Sequence, residues 1–296
     1  MDANAPLLSP DFLRRLEALE LVARRVRARR LKGERLSRRK GRGAEFADYR
    51  PYCSGDDLRF LDWNLYGRLE KLFVRLFQED EELHVTLLID ASPSMRFGLP
   101  TKLRYAQQVA AALGFVGLGQ HDRVTVETTG AEPAHRTNAF RGRSSLRRLI
   151  AFLDGIPADA APSPLSADLR AFAGRATGRG LCVVLSDFLD KGGYQEGLRA
   201  LAARGLEVVA VQLLAPEELD PTMVGDLKLT DAEDGDEAEI TVSAPMLAHY
   251  KAALGAHQQE LHRFCTSRGI TFVTTNTAVP FESLVLNSLR GRGLLR

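Results

Sequence analysis

The stretch His84-Val-Thr-Leu-Leu-Ile-Asp90-Ala-Ser92-Pro-Ser94-Met95 decides how this chain is read. Its apolar run has strand length and ends in an aspartate, with two hydroxyls spaced one residue apart just beyond it. Lys102 to Leu118 then reads as a helix. Strand, short polar loop and helix, in that order, place side chains at the carboxyl edge of a parallel sheet, where open α/β sheets bind their ligands. The spacing of Asp90, Ser92 and Ser94 offers oxygen donors alone, which suits a hard divalent cation. Taken by themselves, the same residues serve equally well as a capped turn, because Asp and Ser satisfy free backbone N–H groups at helix starts.

Downstream the alternation continues. Asp122 to Thr128 reads as a second strand, Pro133 to Ala139 as an antiparallel edge strand, and Ser144 to Leu153 as a helix with Leu146, Leu149, Ile150 and Leu153 on one face. Leu165 opens another helix. Leu181 to Ser186 is a buried strand followed by Asp187 and Asp190. Tyr194 to Ala203, Leu206 to Leu214, Met246 to Ser267, Ile270 to Thr275 and Phe281 to Arg290 read in turn as helix, strand, helix, strand and helix. Val224 to Thr230 and Ala238 to Ser243 flank the acidic turn Asp231–Glu237, a hairpin signature that predicts an insertion over about residues 222–244. The fold class expected is therefore α/β, a Rossmann-type mainly parallel sheet with helices on both faces.

Upstream, Ser9 and Pro10 mark a helix start, and Phe12, Leu13, Leu16 and Leu19 recur at helical spacing. A basic segment follows from Arg24 to Arg42, in which Glu34 is the single acid. Arg24, Arg25, Arg38 and Arg39 are its candidates for contact with a partner, against the simpler reading of a solvated face. No aromatic residue interleaves with these cations, so base stacking has no support and nucleic acid is not an expected partner. Between Gly41 and Arg68 charge alternates with aromatic bulk, which predicts a small β-rich layer. There Asp56, Asp57 and Asp62 are read as structural ion-pair partners of Arg50, Arg59 and Arg68, and Trp63 as a core anchor. The division expected is residues 1–80 for the N-terminal helix, basic segment and β-rich layer, and 81–296 for the α/β domain with its hairpin insertion.

Bulk properties exclude several classes. The net charge of +2 over 296 residues gives no global pull toward polyanions. Cys53, Cys182 and Cys265 are sparse, odd in number and without metal-ligand spacing, which argues for free thiols in a reducing compartment. Met1 to Leu19 carries charges throughout and lacks the apolar core of a signal peptide, and no apolar run approaches the roughly 20 residues of a membrane span. These features predict a cytoplasmic protein. There is no P-loop, no Gly-x-Ser-x-Gly elbow, and the six histidines are scattered, with His257 and His262 five apart.

One long motif string goes further. Gly41-x-Gly43-x-Glu45-Phe46-x-Asp48-Tyr49-Arg50-x-Tyr52-x-x-Gly55-Asp56-Asp57-x-Arg59-x-x-Asp62-Trp63-Asn64-x-x-x-Arg68, followed by an acid-rich stretch and the Asp90-x-Ser92-x-Ser94-Met95 loop, resembles domain-of-unknown-function family fifty-eight. The resemblance is clear over about residues 31–211 and looser beyond. It implies a von Willebrand A-like domain carrying a metal-ion-dependent adhesion-type site. In such a site the first loop supplies Asp90, Ser92 and Ser94, a middle loop supplies a hydroxyl, and a later strand end supplies Asp187. Ser166 is the middle-loop candidate here, one position out of register if Asp168 is the guide. The implied cofactor is Mg²⁺, with Mn²⁺ or Ca²⁺ as substitutes in vitro, and its open position would accept a carboxylate of a partner protein. The resemblance also implies association with a MoxR-type AAA+ ATPase and a client protein, in an adaptor role without catalysis or small-molecule substrate. The alternatives weighed are a Mg²⁺-dependent phosphatase or hydrolase using Asp90, and surface binding to nucleic acid or membrane through Arg24–Arg42.

Overall fold

The first helix, α1 (Pro10–Leu16), starts where the sequence places it: Ser9 caps it, its hydroxyl accepting from the backbone N–H of Phe12 at 3.2 Å. The computed structural model describes residues 6–21, 45–78, 82–157, 161–176, 180–223, 225–233 and 235–295. The chain divides into two units, Met1–Arg27 with Leu83–Arg296, and Ala28–Glu82. Leu7, Leu8, Phe12, Leu16, Leu19 and Leu21 are buried in the core of the larger unit, and Phe12 meets Phe281 edge to face with ring centroids 5.2 Å apart. The boundary expected at residue 80 is corrected accordingly: α1 belongs with the α/β unit because its apolar face is covered there. Arg24, Arg25, Arg38 and Arg39, with the rest of Arg24–Arg42, lie outside the described residues.

In the smaller unit, β1 (Glu45–Pro51) pairs antiparallel with β2 (Phe73–Gln78), and α2 (Trp63–Leu69) lies between them in sequence. Its acids make structural contacts, as expected for Asp56 and Asp57. Arg50 forks onto both carboxylate oxygens of Asp56 at 2.7 Å, and Arg59 pairs with Asp57. Asp62 caps α2 by accepting from Asn64 and Leu65, takes the Tyr49 hydroxyl at 2.9 Å, and pairs with Arg75 at 3.0 Å. Trp63 is 63% exposed, so the core-anchor reading is corrected. No residue of α2 is buried, since a two-stranded ribbon and one short helix have too little apolar surface to enclose an indole.

The larger unit is built on β3 (His84–Asp90), α3 (Lys102–Gly119), β4 (Arg123–Thr129), α4 (Leu146–Asp154), α5 (Leu165–Arg175), β5 (Gly180–Ser186), α6 (Gln195–Ala203), β6 (Glu207–Leu214), α7 (Pro216–Leu219), the hairpin β7 (Gly225–Thr230) and β8 (Glu237–Val242), α8 (Ala244–Ser267), β9 (Thr271–Asn276) and α9 (Phe281–Ser283), which runs on as a π turn over Leu284–Leu289. Five strands form one parallel sheet in the order β9-β6-β5-β3-β4. The period of two in β3 assigns the faces. Val85, Leu87 and Ile89 join a core with residues of α1, α3, α4 and α9, whereas Leu88 joins a second core with residues of α5, α6 and α8. Both faces are covered, which is why β5 is buried at every position. This is the architecture expected of a von Willebrand A-like domain. The antiparallel edge strand expected over 133–139 is reduced to two isolated bridges, from Phe140 and Arg136 to Val124 and Glu127 of β4.

From β3 the chain first adds β4 on one side, then returns to place β5, β6 and β9 on the other. The carboxyl ends of β3 and β5 therefore flank the switch point, where loops depart in opposite directions and leave a crevice. Among the described residues, no helix is long and apolar enough to cross a membrane. Cys182 and Cys265 are buried and their thiols pushed up to about 12 by burial, whereas Cys53 is exposed.

Candidate metal centre

Asp90 is the last residue of β3 and Asp187 follows the last residue of β5, so parallel pairing brings both carboxylates to one edge. Both are buried, at 3% and 2% exposure. Asp90 Oδ1 accepts from the Ser92 backbone N–H at 2.9 Å, and the Ser186 hydroxyl donates to Asp90 Oδ2 at 2.5 Å. The hydroxyls of Ser92 and Ser94 lie 3.0 Å apart, and Ser94 Oγ donates to Asp187 Oδ2 at 3.1 Å. The four residues singled out in the first and last loops are thus brought into one connected group.

A cation already belongs to this group. Lys102, the first residue of α3, has a fully buried side chain, and its Nζ donates to Asp187 Oδ2 at 2.7 Å and to Glu218 Oε1 at 2.5 Å. Burial alone would lower its pKa, but Asp187 and Glu218 together more than offset this and raise it, so the ammonium form is held. Asp90 goes the other way. Burial, reinforced by the negative charge of Asp187, pushes its carboxyl up to about 7 against the partly compensating hydrogen bonds from Ser186 and Ser92.

Ser166 is placed elsewhere. Its hydroxyl accepts from the Gly197 backbone N–H at 2.9 Å and so is engaged where α5 packs closely on α6. What the middle loop brings toward Asp90 is Asp168, whose Oδ2 accepts from the Gly130 backbone N–H at 2.9 Å and from the Ser163 hydroxyl at 2.5 Å. Gly130 has φ +71, and a Cβ there would collide with Asp90 Oδ1, so a glycine is required for β4's exit to pass beside the site.

Residues 48–260 match the model of a family described as a protein of unknown function, DUF58. The chain belongs to that family. Uncharacterized proteins of Mycobacterium tuberculosis and Mycobacterium bovis are each 30% identical to it over 274 residues, covering 90% of this chain and 86% of theirs. Two solved structures are similar at lower identity: BatB of Bacteroides thetaiotaomicron (16%, TM-score 0.44, 71% of this chain and 98% of that one) and an aerotolerance-related membrane protein of Bacteroides fragilis (15%, TM-score 0.45, 71% and 99%).

Reading the sequence missed four groups in this DUF58 site. Lys102 was read only as a helix start, and Glu218, Ser186 and Thr129 were not singled out. Thr129 is the register partner of Asp90 on β4, and its buried hydroxyl has no hydrogen-bond partner. In-register neighbours point to the same face of a parallel sheet, so this hydroxyl belongs to Asp90's side. An orphaned buried oxygen, two carboxylates and two further hydroxyls form an all-oxygen donor set that fits a hard divalent cation. No group of three or more His, Cys, Asp or Glu side chains suited to a metal occurs among the described residues, so any ion here would rest on few carboxylates and keep water.

Proposed function

We propose that this protein is a non-enzymatic interaction module whose sheet edge holds Mg²⁺ and, through it, a carboxylate of a protein partner. The observation that carries this reading is the unbroken hydrogen-bonded path from Asp90 through Ser92 and Ser94 to Asp187 at the switch point. Asp90, Ser92, Ser94 and Asp187 would hold the ion, directly or through water. The ion would supply a Lewis-acidic position for an incoming carboxylate. Ser92 stands where a second acid would serve as general acid in phosphoryl transfer, which favours binding over catalysis.

The surroundings suit a protein ligand. Phe97 and Leu99 follow the first loop, Leu189 follows Asp187, Val279 follows β9, and Met246 and Tyr250 lie in the first two turns of α8; all are exposed. Large apolar side chains left in water around a polar centre are a mark of recognition surfaces. By the family resemblance, the partner proposed is a MoxR-type AAA+ ATPase, with this chain acting as adaptor in remodelling or maturing a client complex.

The test is retention of a purified MoxR-type ATPase on the immobilised full-length chain, with Mg²⁺ and with chelator. Chelator-sensitive binding lost in Asp90→Ala and in Asp187→Ala is expected. Equal retention in all conditions would sink the reading.

A further inference from the structure

We infer that Lys102 is a tethered cation that sets the metal affinity of this centre, holding Asp187 in the ion's absence and moving onto Glu218 when an ion enters. The inference rests on the metal-centre reading above and adds its regulation.

The geometry leaves little freedom. Lys102 starts α3, with its backbone N–H bonded to the Phe97 carbonyl at 3.1 Å and the helix capped by Thr101, whose hydroxyl accepts from Arg104 N at 3.1 Å. The fully buried stem therefore has a fixed root, and Nζ bridges Asp187 and Glu218. Each carboxylate is anchored by its other oxygen. Asp187 Oδ1 accepts from Leu189 N at 3.0 Å, and Glu218 Oε2 accepts from Ala215 N at 2.7 Å. Tyr250 further fixes Glu218 by donating to its carbonyl at 2.9 Å. Asp187 Oδ2 is the oxygen that accepts from Ser94, and it is also the oxygen the ammonium holds.

An ion drawing on Asp187 Oδ2 would meet a positive charge 2.7 Å from its own ligand, in a buried site where like charges repel strongly. Glu218 provides the outlet, since its Oε1 already takes the same ammonium at 2.5 Å and can retain it alone. Two variants then move affinity in opposite directions. Lys102→Met removes the competitor and leaves Asp187 and Glu218 short of positive charge. Glu218→Gln removes the outlet and commits the ammonium to Asp187.

Mn²⁺ binding to the full-length chain, read by electron paramagnetic resonance as free ion remaining, tests this, with circular dichroism confirming the fold. Lys102→Met is expected to bind at least tenfold more tightly than wild type, and Glu218→Gln at least fivefold more weakly. Should Lys102→Met not fold, Glu218→Gln and Lys102→Met/Glu218→Gln carry the test, the double variant being expected to bind more tightly than Glu218→Gln. Wild-type binding with unchanged affinity in the variants, or with Lys102→Met weaker, overturns the inference and leaves the metal centre standing. No binding by any form up to millimolar Mn²⁺ overturns both. Binding by Lys102→Met in the absence of binding by wild type supports it in its strongest form.

Discussion

Ser186 and Asp90 face each other across neighbouring parallel strands, with the serine hydroxyl donating to Asp90 Oδ2 at 2.5 Å and both side chains buried. The bond ties the two strand ends that flank the switch point, so it organises the crevice as well as Asp90.

Ser186→Ala is expected to lower unfolding stability by about 1–3 kcal/mol, the range for leaving a buried acceptor short of its donor. It is also expected to push the Asp90 carboxyl up from about 7, because the Ser186 bond is one of the contacts that lower it. Urea unfolding at pH 6 and pH 8 measures both effects. A variant as stable as wild type at both pH values would show that the bond contributes nothing.

The raised Asp90 carboxyl has a definite pH signature. Its folded pKa of about 7 lies above the ordinary value of 3.8, so between these values the folded state binds a proton that the unfolded chain does not. This group's contribution to stability is therefore largest below about pH 4 and is lost as pH rises through 7. Mg²⁺ reverses the preference, since an ion must displace that proton. Apparent Mg²⁺ affinity is expected to climb up to roughly tenfold per pH unit from 5 to 7 and then to level off. Calorimetric titrations at pH 5.5, 6.5 and 8.0 check this, and a flat profile would remove Asp90 from the ligand set.

What could be read from the chain follows from how local each interaction is. The strands of the sheet are apolar runs with their own period, so β3 and β5 and their terminal aspartates are visible without any partner in view. Asp90, Ser92 and Ser94 lie within five consecutive residues, and their spacing is itself the signal. Lys102 gave no such signal. A lysine in a helix's first turn is ordinarily solvated, and its partners Asp187 and Glu218 lie 85 and 116 residues away. The Gly197 contact of Ser166 was not legible for a related reason. One residue of helical register, about 100° around α5, decides whether a hydroxyl faces the site or the neighbouring helix. Trp63 was misjudged because burial depends on how much surface surrounds a residue, which its own identity does not state.

Ser166→Ala separates packing from metal binding. Its hydroxyl satisfies the Gly197 N–H, so the loss is expected to cost about 1–3 kcal/mol in stability. Metal affinity is expected to stay within twofold of wild type, in contrast to Asp187→Ala. Thermal unfolding with and without Mg²⁺ reads both, through the size of the stabilisation that the ion confers. An Mg²⁺-induced shift abolished in Ser166→Ala would restore this serine to the centre.

Thr129→Val offers the complementary case. The Thr129 hydroxyl is buried without a hydrogen-bond partner beside Asp90, and valine keeps its shape while removing the unsatisfied oxygen. An unpaired buried hydroxyl costs free energy, so the metal-free variant is expected to be as stable as wild type or more so, by up to about 1–3 kcal/mol. If the oxygen is kept for an ion, the same change weakens Mg²⁺ binding at least threefold. Stability and affinity then move in opposite directions, a pattern that a packing role for Thr129 cannot produce. Denaturant unfolding of the chelated protein and Mg²⁺ calorimetry at pH 8 together decide it: lower stability with unchanged affinity would assign Thr129 to packing alone.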